Sequence, residues 1–294
     1  MTSSRALALA ALLAGPSQAL AGACCVGSTS TLPTQLGECE QRGVGVIVGG
    51  EVSRWRWDAS RATHSSSLVT DSLTTTVAGG FRTSRRFQVL GAVPVRANRY
   101  ALADLTETGW GVGDVSVGVV WDPTEEIPRV EGLEKRPLPV PILRLGARLP
   151  TGRDWRHAET SLHADVTGLD ATSLTAGLGF ERTLDRTPWS VGLDGDVGVG
   201  ASGVLGSLAA SGGVGHYFGQ RLSLLASAQH VWTFTSSDQG SGTTERTGGG
   251  LQLVLGKPRA WRAWGSLGAD LPVPGLGKSA AGSVRAGLGF LQIL

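Results

Sequence analysis

The chain has 294 residues, a net charge of +2, and only 17% charged residues. That balance excludes nucleic-acid binding by bulk electrostatics, and a single Met excludes an adaptable Met-rich binding surface. Glycine, at 44 residues, is about twice its ordinary share; it has no collagen period and instead alternates with Val, Leu and Ala.

The first predicted element is an export signal over residues 1–21. Arg5 supplies the charge, Ala6 to Ala14 the short apolar core, and Ala19-Leu20-Ala21 the cleavage pattern, so the mature chain is expected to start near Gly22. Residues 22–43 carry Cys24, Cys25 and Cys39 and are expected to form a periplasmic tail or small plug. Export permits a disulfide. Cys39 with either Cys24 or Cys25 would close a loop of about 15 residues, worth ~3 kcal/mol. The third cysteine is then free, acylated or intermolecular. The spacing lacks the two pairs of a zinc site and no His is near, so no metal is expected.

From Val44 the chain reads as strand after strand, in residues 44–294. Side chains alternate across a strand with period two. Val44, Val46, Val48 and Val52 stand against Gly45, Gly49, Glu51 and Ser53. Leu73, Val77 and Phe81 stand against Thr74, Thr76 and Arg82, and Phe87, Val89, Val93 and Val95 against Gln88 and Arg96. Pro94 within that strand predicts a bulge or strand end. In the stretch from Trp110 to Trp121, Val115, Val117, Val119 and Trp121 share one face, and Asp114, Ser116 and Gly118 the other.

A Pro- and Glu-rich link, 122–138, leads to Pro141, Leu143, Leu145, Ala147 and Leu149, backed by Arg144, Gly146 and Arg148. Two arginines on the polar face would be costly in a packed soluble core and cost little in a wet lumen. After a polar loop, 150–171, Leu174, Ala176, Leu178 and Phe180 oppose Thr175, Gly177, Gly179 and Glu181. Trp189, Val191, Leu193, Val197 and Val199 then oppose Ser190, Gly192, Asp194, Asp196 and Gly198. Strand pairs 205–217 with 221–234 and 249–256 with 261–271 follow, then a last strand, 282–294, in which Gln292 falls on the apolar parity.

The predicted fold is all-β: a closed antiparallel transmembrane barrel of about 12 strands, with short periplasmic turns and longer outer loops. The expected turns are 83–85, 122–138, 182–187, 218–221 and 257–260; the expected outer loops are 57–67, 97–109, 150–171, 201–204, 235–246 and 272–281. Trp55, Trp57, Trp110, Trp121, Trp189, Trp232 and Trp261 lie at strand ends, as interfacial girdles require. The lumen-lining candidates are Glu51, Arg82, Arg96, Asp114, Arg144, Arg148, Glu181, Asp194, Asp196, Arg262, Asp270 and Arg285. Such a set either lines an eyelet that tunes permeation or forms ion pairs that brace a narrow barrel, and the balance of acids and arginines leaves both readings open.

No enzyme is expected and no catalytic residue is assigned. Residues 198–203 match G-x-G-x-x-G, but neither a following helix nor an acid about 20 positions on completes a dinucleotide site. The histidines are His64, His157, His163, His216 and His230. A hydrolase at the outer rim would need His157 or His163 beside Ser161 and an acid.

Gly109-Trp110-Gly111-Val112-Gly113-Asp114, followed by Leu145-Gly146-Ala147-Arg148-Leu149-Pro150-Thr151-Gly152, resembles the outer-membrane family named for the meta-cleavage pathway of phenol degradation (MetA-like transporters). The resemblance implies a transporter-like barrel for hydrophobic compounds. The sequence as a whole points to export to a bacterial outer membrane and passage of small molecules. The expected partners are outer-membrane lipids, the barrel-insertion machinery and a small-molecule solute, with no cofactor and no nucleic acid. The runner-up function is a closed structural or adhesive barrel acting through its outer loops.

Overall fold

The computed structural model describes residues 36, 40–57, 63–122, 139–169, 171–184, 187–200, 203–218, 221–237, 240–257, 260–271 and 281–294. The predicted signal, the three cysteines and most of the Pro- and Glu-rich link lie outside this set. Among the described residues, thirteen strands form one antiparallel sheet: β1 (Arg42–Trp57), β2 (Thr63–Arg82), β3 (Phe87–Leu102), β4 (Leu105–Val112), β5 (Val115–Trp121), β6 (Val140–Leu149), β7 (Ala171–Leu184), β8 (Thr187–Gly200), β9 (Gly203–Tyr217), β10 (Leu222–Ser237), β11 (Gly240–Lys257), β12 (Trp261–Asp270) and β13 (Ala281–Ile293). β1 pairs with both β2 and β13, which closes the sheet into a barrel. The loop end is where β1 finishes and β2 begins; the turn end holds the start of β1 and the finish of β13.

β4 and β5 are two halves of one stave, so the wall has twelve. β4 pairs with the Val95–Leu102 half of β3 and β5 with the Phe87–Ala92 half. Between Val112 and Ser116 the broken stave takes one more residue than β3 takes between Ala92 and Val95. The extra residue is a bulge at Gly113-Asp114, and with a side-chain period of two it reverses which parity faces inward. Trp110 and Val112 point out above it, as Val117 and Val119 do below. Pro94 stands opposite the break, and its carbonyl accepts the Gly113 N–H at 2.8 Å. The irregularity expected at Pro94 therefore falls on the neighbouring stave.

The outward faces are apolar. Val44, Val46 and Val48 on β1, Leu73, Val77 and Phe81 on β2, and Leu174, Leu178 and Phe180 on β7 are all exposed. From Val44 to Val52, eight rises of roughly 3.3 Å on a strand tilted by about 40° span roughly 20 Å, the scale of an outer-membrane apolar band. Trp121, Trp189 and Trp261 rim this band at the turn end. Trp55, Trp110 and Trp232 rim it at the loop end. Trp261 stacks on Phe290 with ring centroids 6.3 Å apart, and Trp55 lies across Gly282, where a Cβ would meet its Nε1 at 1.9 Å. Above the band, Asp71 takes Arg54 at 3.6 Å and Arg99 at 3.8 Å on the outer surface.

Three expected outer loops differ from the sequence reading; of 57–67, residue 57 ends β1 and residues 63–67 open β2. Of 97–109, only residues 103 and 104 are a turn, with Ala103 at φ 52; of 235–246, residues 235–237 belong to β10 and 240–246 to β11. The last two stretches are polar because the staves rise past the apolar band, where neither face meets lipid and alternation fades. Gln292 keeps the outward parity with no shift in the β1–β13 register around it. Its amide donates to the carbonyls of Ala260 at 3.0 Å and Ile293 at 3.1 Å. Among the described residues no helix is long and apolar enough to cross a membrane.

Candidate functional site: the barrel interior

The interior has three levels. At the turn end the inward face carries two apolar clusters beside a few buried polar side chains. Leu90, Val120, Val140 and Ile142 form one buried cluster; Ile47, Leu225, Val254, Trp264, Leu291 and Ile293 form another. Trp264 lies flat over Gly289, where a Cβ would meet its ring at 2.2 Å. Leu36, from the segment before β1, is sealed into this floor at 1% exposure. Its N–H donates to Gln88 Oε1 at 2.8 Å, and its carbonyl accepts from Gln88 Nε2 at 3.1 Å and Arg82 Nη2 at 3.3 Å. Gln88 is itself fully buried, so the backbone of Leu36 satisfies a side chain that would otherwise be desolvated without partners. Arg82 also pairs with Asp122 at 3.2 Å, and Glu40 with Arg262. The stretch before the barrel thus reaches into its turn end.

The middle level is charged, and glycine arranges it. Arg144 on β6 reaches over β7 to Asp194 on β8, with Nη2 3.0 Å from Oδ1 and Nε 3.1 Å from the same oxygen. The strand it crosses offers Gly177 and Gly179. A Cβ on Gly177 would lie 2.0 Å from Asp194 Oδ1, and one on Gly179 would lie 3.2 Å from Arg144 Nη1. Any side chain there would lift the pair into the lumen. Arg148 and Asp196 repeat the arrangement more loosely, at 3.8 Å. On another part of the wall Arg246 Nη2 donates to Glu51 at 3.1 Å, Asp270 at 2.6 Å and Ser283 at 2.9 Å, and Arg285 takes the other Asp270 oxygen at 2.6 Å. Here Gly248 is the bed, its absent Cβ 2.8 Å from Arg285 Nη2. Gly177, Gly179, Gly192 and Gly248 are the part of the glycine excess on which ion pairs lie flat.

At the loop end, residues 150–169 fold against the inner face of β3 and β4. Gly109 and Gly111 face inward there. A Cβ on Gly109 would meet the Asp165 backbone at 2.4 Å, and one on Gly111 would meet Thr167 at 3.3 Å. Asp114 holds both ends of the loop: Oδ1 accepts the Gly152 N–H at 3.0 Å and Oδ2 the Leu169 N–H at 2.8 Å. Thr151 Oγ1 donates to the Gly113 carbonyl at 2.9 Å and accepts the Val115 N–H at 2.9 Å, continuing the ladder across the break. Asn98 Nδ2 donates to the carbonyls of Ala164 at 3.0 Å and Val166 at 3.1 Å, and Glu107 accepts the N–H groups of Ser161 and Leu162. The two short motifs singled out in the sequence are therefore two sides of one clasp.

Two carboxylates organise the loop internally. Asp165 accepts from Thr160 Oγ1 at 2.6 Å, the Glu159 N–H at 2.8 Å and Arg153 Nη1 at 2.8 Å. Burial pushes its carboxyl up, but these donors outweigh burial and hold it well below the usual carboxylate range. Asp154 caps a single 3₁₀ turn, Trp155–His157, accepting from the N–H of Arg156 at 2.9 Å and of His157 at 3.1 Å. Burial raises its carboxyl too, but the bonds from Arg156 and His157 bring it down to about 2. His157 Nδ1 lies 2.8 Å from Asp154 Oδ1, while Ser161 gives its N–H to Glu107. The geometry sought for a rim hydrolase is not assembled among these residues. His230 sits on the outer wall against Trp232 at 4.2 Å, with Nδ1 2.7 Å from Thr247 Oγ1.

Of the twelve lumen candidates, Arg82 and Arg262 lie in the floor. Glu51, Arg144, Arg148, Asp194, Asp196, Asp270 and Arg285 lie in the charged level. Arg96 faces inward there on β3, and Glu181 faces inward on β7, opposite Val140. Asp114 is spent on the clasp. Sequence reasoning missed Arg246, because 235–246 read as loop; it also missed Glu40, Glu107, Asp122, Asp154 and Asp165. The signal for Arg246 was its even parity with Gly248, Gly250 and Gln252 on β11.

No family model matches the chain, and no curated protein matches it. Solved structures do. An outer membrane channel from Pseudomonas putida F1 superposes with a TM-score of 0.65 at 14% identity, covering 89% of this chain and 100% of that one. The β domain of the Bordetella autotransporter BrkA gives a TM-score of 0.49 at 11% identity, covering 87% of this chain and 100% of that one. The CymD monoaromatic hydrocarbon channel gives 0.45 at 7% identity, covering 87% and 89%; scores at this level add no argument. At such identities the likeness to the Pseudomonas channel establishes architecture, and the fold is that of an outer-membrane β-barrel.

Proposed function

We propose that the chain is an outer-membrane channel for small molecules, exported and inserted with both ends of the sheet on the periplasmic side. The observation that carries this reading is the way the interior charges are held. Arg144–Asp194, Arg148–Asp196 and the Arg246–Glu51–Asp270–Arg285 group each pair along the wall, the first and last of them over glycine, and none of these bonds crosses the lumen. A barrel braced for strength would tie opposite walls together. Ion pairs laid flat keep the centre clear and leave polar atoms facing the path of a solute. Leu36 sits in the turn-end floor, so passage is expected to require it to withdraw. Passage of hydrophobic compounds, which the phenol-pathway resemblance implies, fits the apolar floor that such a compound would meet on leaving the charged level.

The test is conductance in planar bilayers with purified protein. The full chain is expected to give small or infrequent steps, and a form lacking residues 22–41 larger or more frequent ones. Silence from both forms, folded by gel mobility, overturns the channel and leaves a closed barrel acting through its outer loops.

A further inference from the structure

Arg96 is the one inward arginine of the charged level with no ion pair and no hydrogen bond among the described residues. Its Nε is buried without a partner. The strand beside it explains the burial: Gly113, at the break between β4 and β5, puts its absent Cβ 3.6 Å from that Nε and 3.2 Å from the Thr167 carbonyl of the folded loop. Arg96 therefore lies under the base of the loop. The charged groups that act on it are Arg148, Asp114 and Glu51, with Tyr100 nearby on the same face of β3. Asp114 is engaged on both oxygens by the N–H groups of Gly152 and Leu169, and Glu51 gives Oε1 to Arg246 while its Oε2 has no hydrogen-bond partner. Arg148 is a second cation, and the carboxylate nearest to it, Asp196, is only at 3.8 Å.

Two neighbouring guanidiniums, one unpaired and one loosely paired, in a lumen where the other arginines are matched at 2.6–3.2 Å, describe a place built for an anion that the chain does not supply. Leaving a buried guanidinium unsatisfied costs free energy that a bound anion would recover. Below Arg96 on the same inward face run Pro94, Ala92 and Leu90, leading to the apolar floor with Val120 and Ile142. The anion is therefore attached to an apolar body, and the planar fork of a guanidinium matches a planar carboxylate.

We propose that Arg96 and Arg148, with Tyr100 at their side, form a lumen subsite for small organic carboxylates with an apolar body. The inference rests on the channel reading and names its solute class. Its primary test is independent of conduction: calorimetric titration of sodium benzoate into the folded full-length protein in detergent. Wild type is expected to bind benzoate and to bind benzamide at least tenfold more weakly. Arg96→Gln and Arg148→Gln are each expected to weaken benzoate at least tenfold. Arg96→Lys, which keeps the charge and loses the fork, is expected to fall between, and Arg54→Gln, on the outer surface beside Asp71, to bind as wild type. Heat-modifiable gel mobility reports that each variant is folded. Equal benzoate affinity in wild type and Arg96→Gln, equal affinity for benzamide, or binding of inorganic phosphate without benzoate overturns the subsite. Benzoate binding without any conductance overturns the channel reading alone.

Discussion

At the scale of single residues, the interior is governed by where side chains are missing. Gly177 is the sharpest case, because the Arg144–Asp194 pair occupies the volume its side chain would fill. Gly177→Val forces the pair off the wall or off its geometry, a strain of about 1–3 kcal/mol. Two readouts follow together: a lower denaturation midpoint and a smaller conductance, as the displaced guanidinium enters the lumen. An outward glycine such as Gly195, whose nearest neighbour would be 3.8 Å away, is the control and should change neither. A variant at Gly177 that loses stability but keeps wild-type conductance would show that the pair does not border the path. The alternation that identifies Gly177 as inward is local and could be read from the sequence. Its use as a bed for an ion pair could not, since Arg144 and Asp194 are 50 residues apart and meet only when β6, β7 and β8 lie side by side.

At the scale of elements, the folded loop is the part whose stability depends on pH. Both of its organising carboxyls, Asp154 and Asp165, are held below the usual value of ~3.9. A group depressed in the folded state stabilises it above the unfolded value and loses that contribution as pH falls through the folded one. The loop is therefore expected to stay docked down to about pH 4 and to loosen between there and pH 2. Pepsin should cut within residues 152–169 at pH 2 and spare them at pH 4. Asp165→Asn removes the charge at any pH and weakens bonds worth ~1.5–3 kcal/mol. It should speed tryptic cleavage at Arg153 and Arg156 at pH 8 on the order of tenfold, while cleavage elsewhere is unchanged. Equal rates in wild type and variant would mean that Asn98, Glu107 and Asp114 hold the loop without help. The clasp was half visible in the sequence as two motifs, but their purpose was hidden. Each motif supplies glycines or a hydroxyl that matter only once the loop lies against β4. The bulge at Gly113-Asp114 was hidden for a related reason: the valines on both sides of it look like one strand until β3 provides a ruler.

At the scale of the whole molecule, the fold follows from one property repeated, an apolar outward face every second residue along twelve staves. That property needs no long-range information, which is why the barrel was legible where its ion pairs were not. The orientation rests on the difference between the two ends. The loop end carries the clasped loop and the Arg54–Asp71–Arg99 surface group. The turn end carries the start of β1, the finish of β13 and the Leu36 floor. In the proposed orientation, with short turns periplasmic and longer loops extracellular, the 150–169 loop would lie outside the cell. Glu159, whose side chain is 78% exposed, and Ala260, at the turn before β12, mark the two ends. In a background with Cys24, Cys25 and Cys39 changed to Ser, Glu159→Cys should react with a membrane-impermeant maleimide on intact cells. Ala260→Cys should react only after the outer membrane is opened. The Glu159 pair with Arg153 is a solvent-screened surface contact, so its loss leaves the loop docked and the label reports position rather than unfolding. Labelling of Ala260→Cys on intact cells with protection of Glu159→Cys would invert the barrel. Leu36 would then guard the outer mouth, and a solute would meet the apolar floor before the charged level.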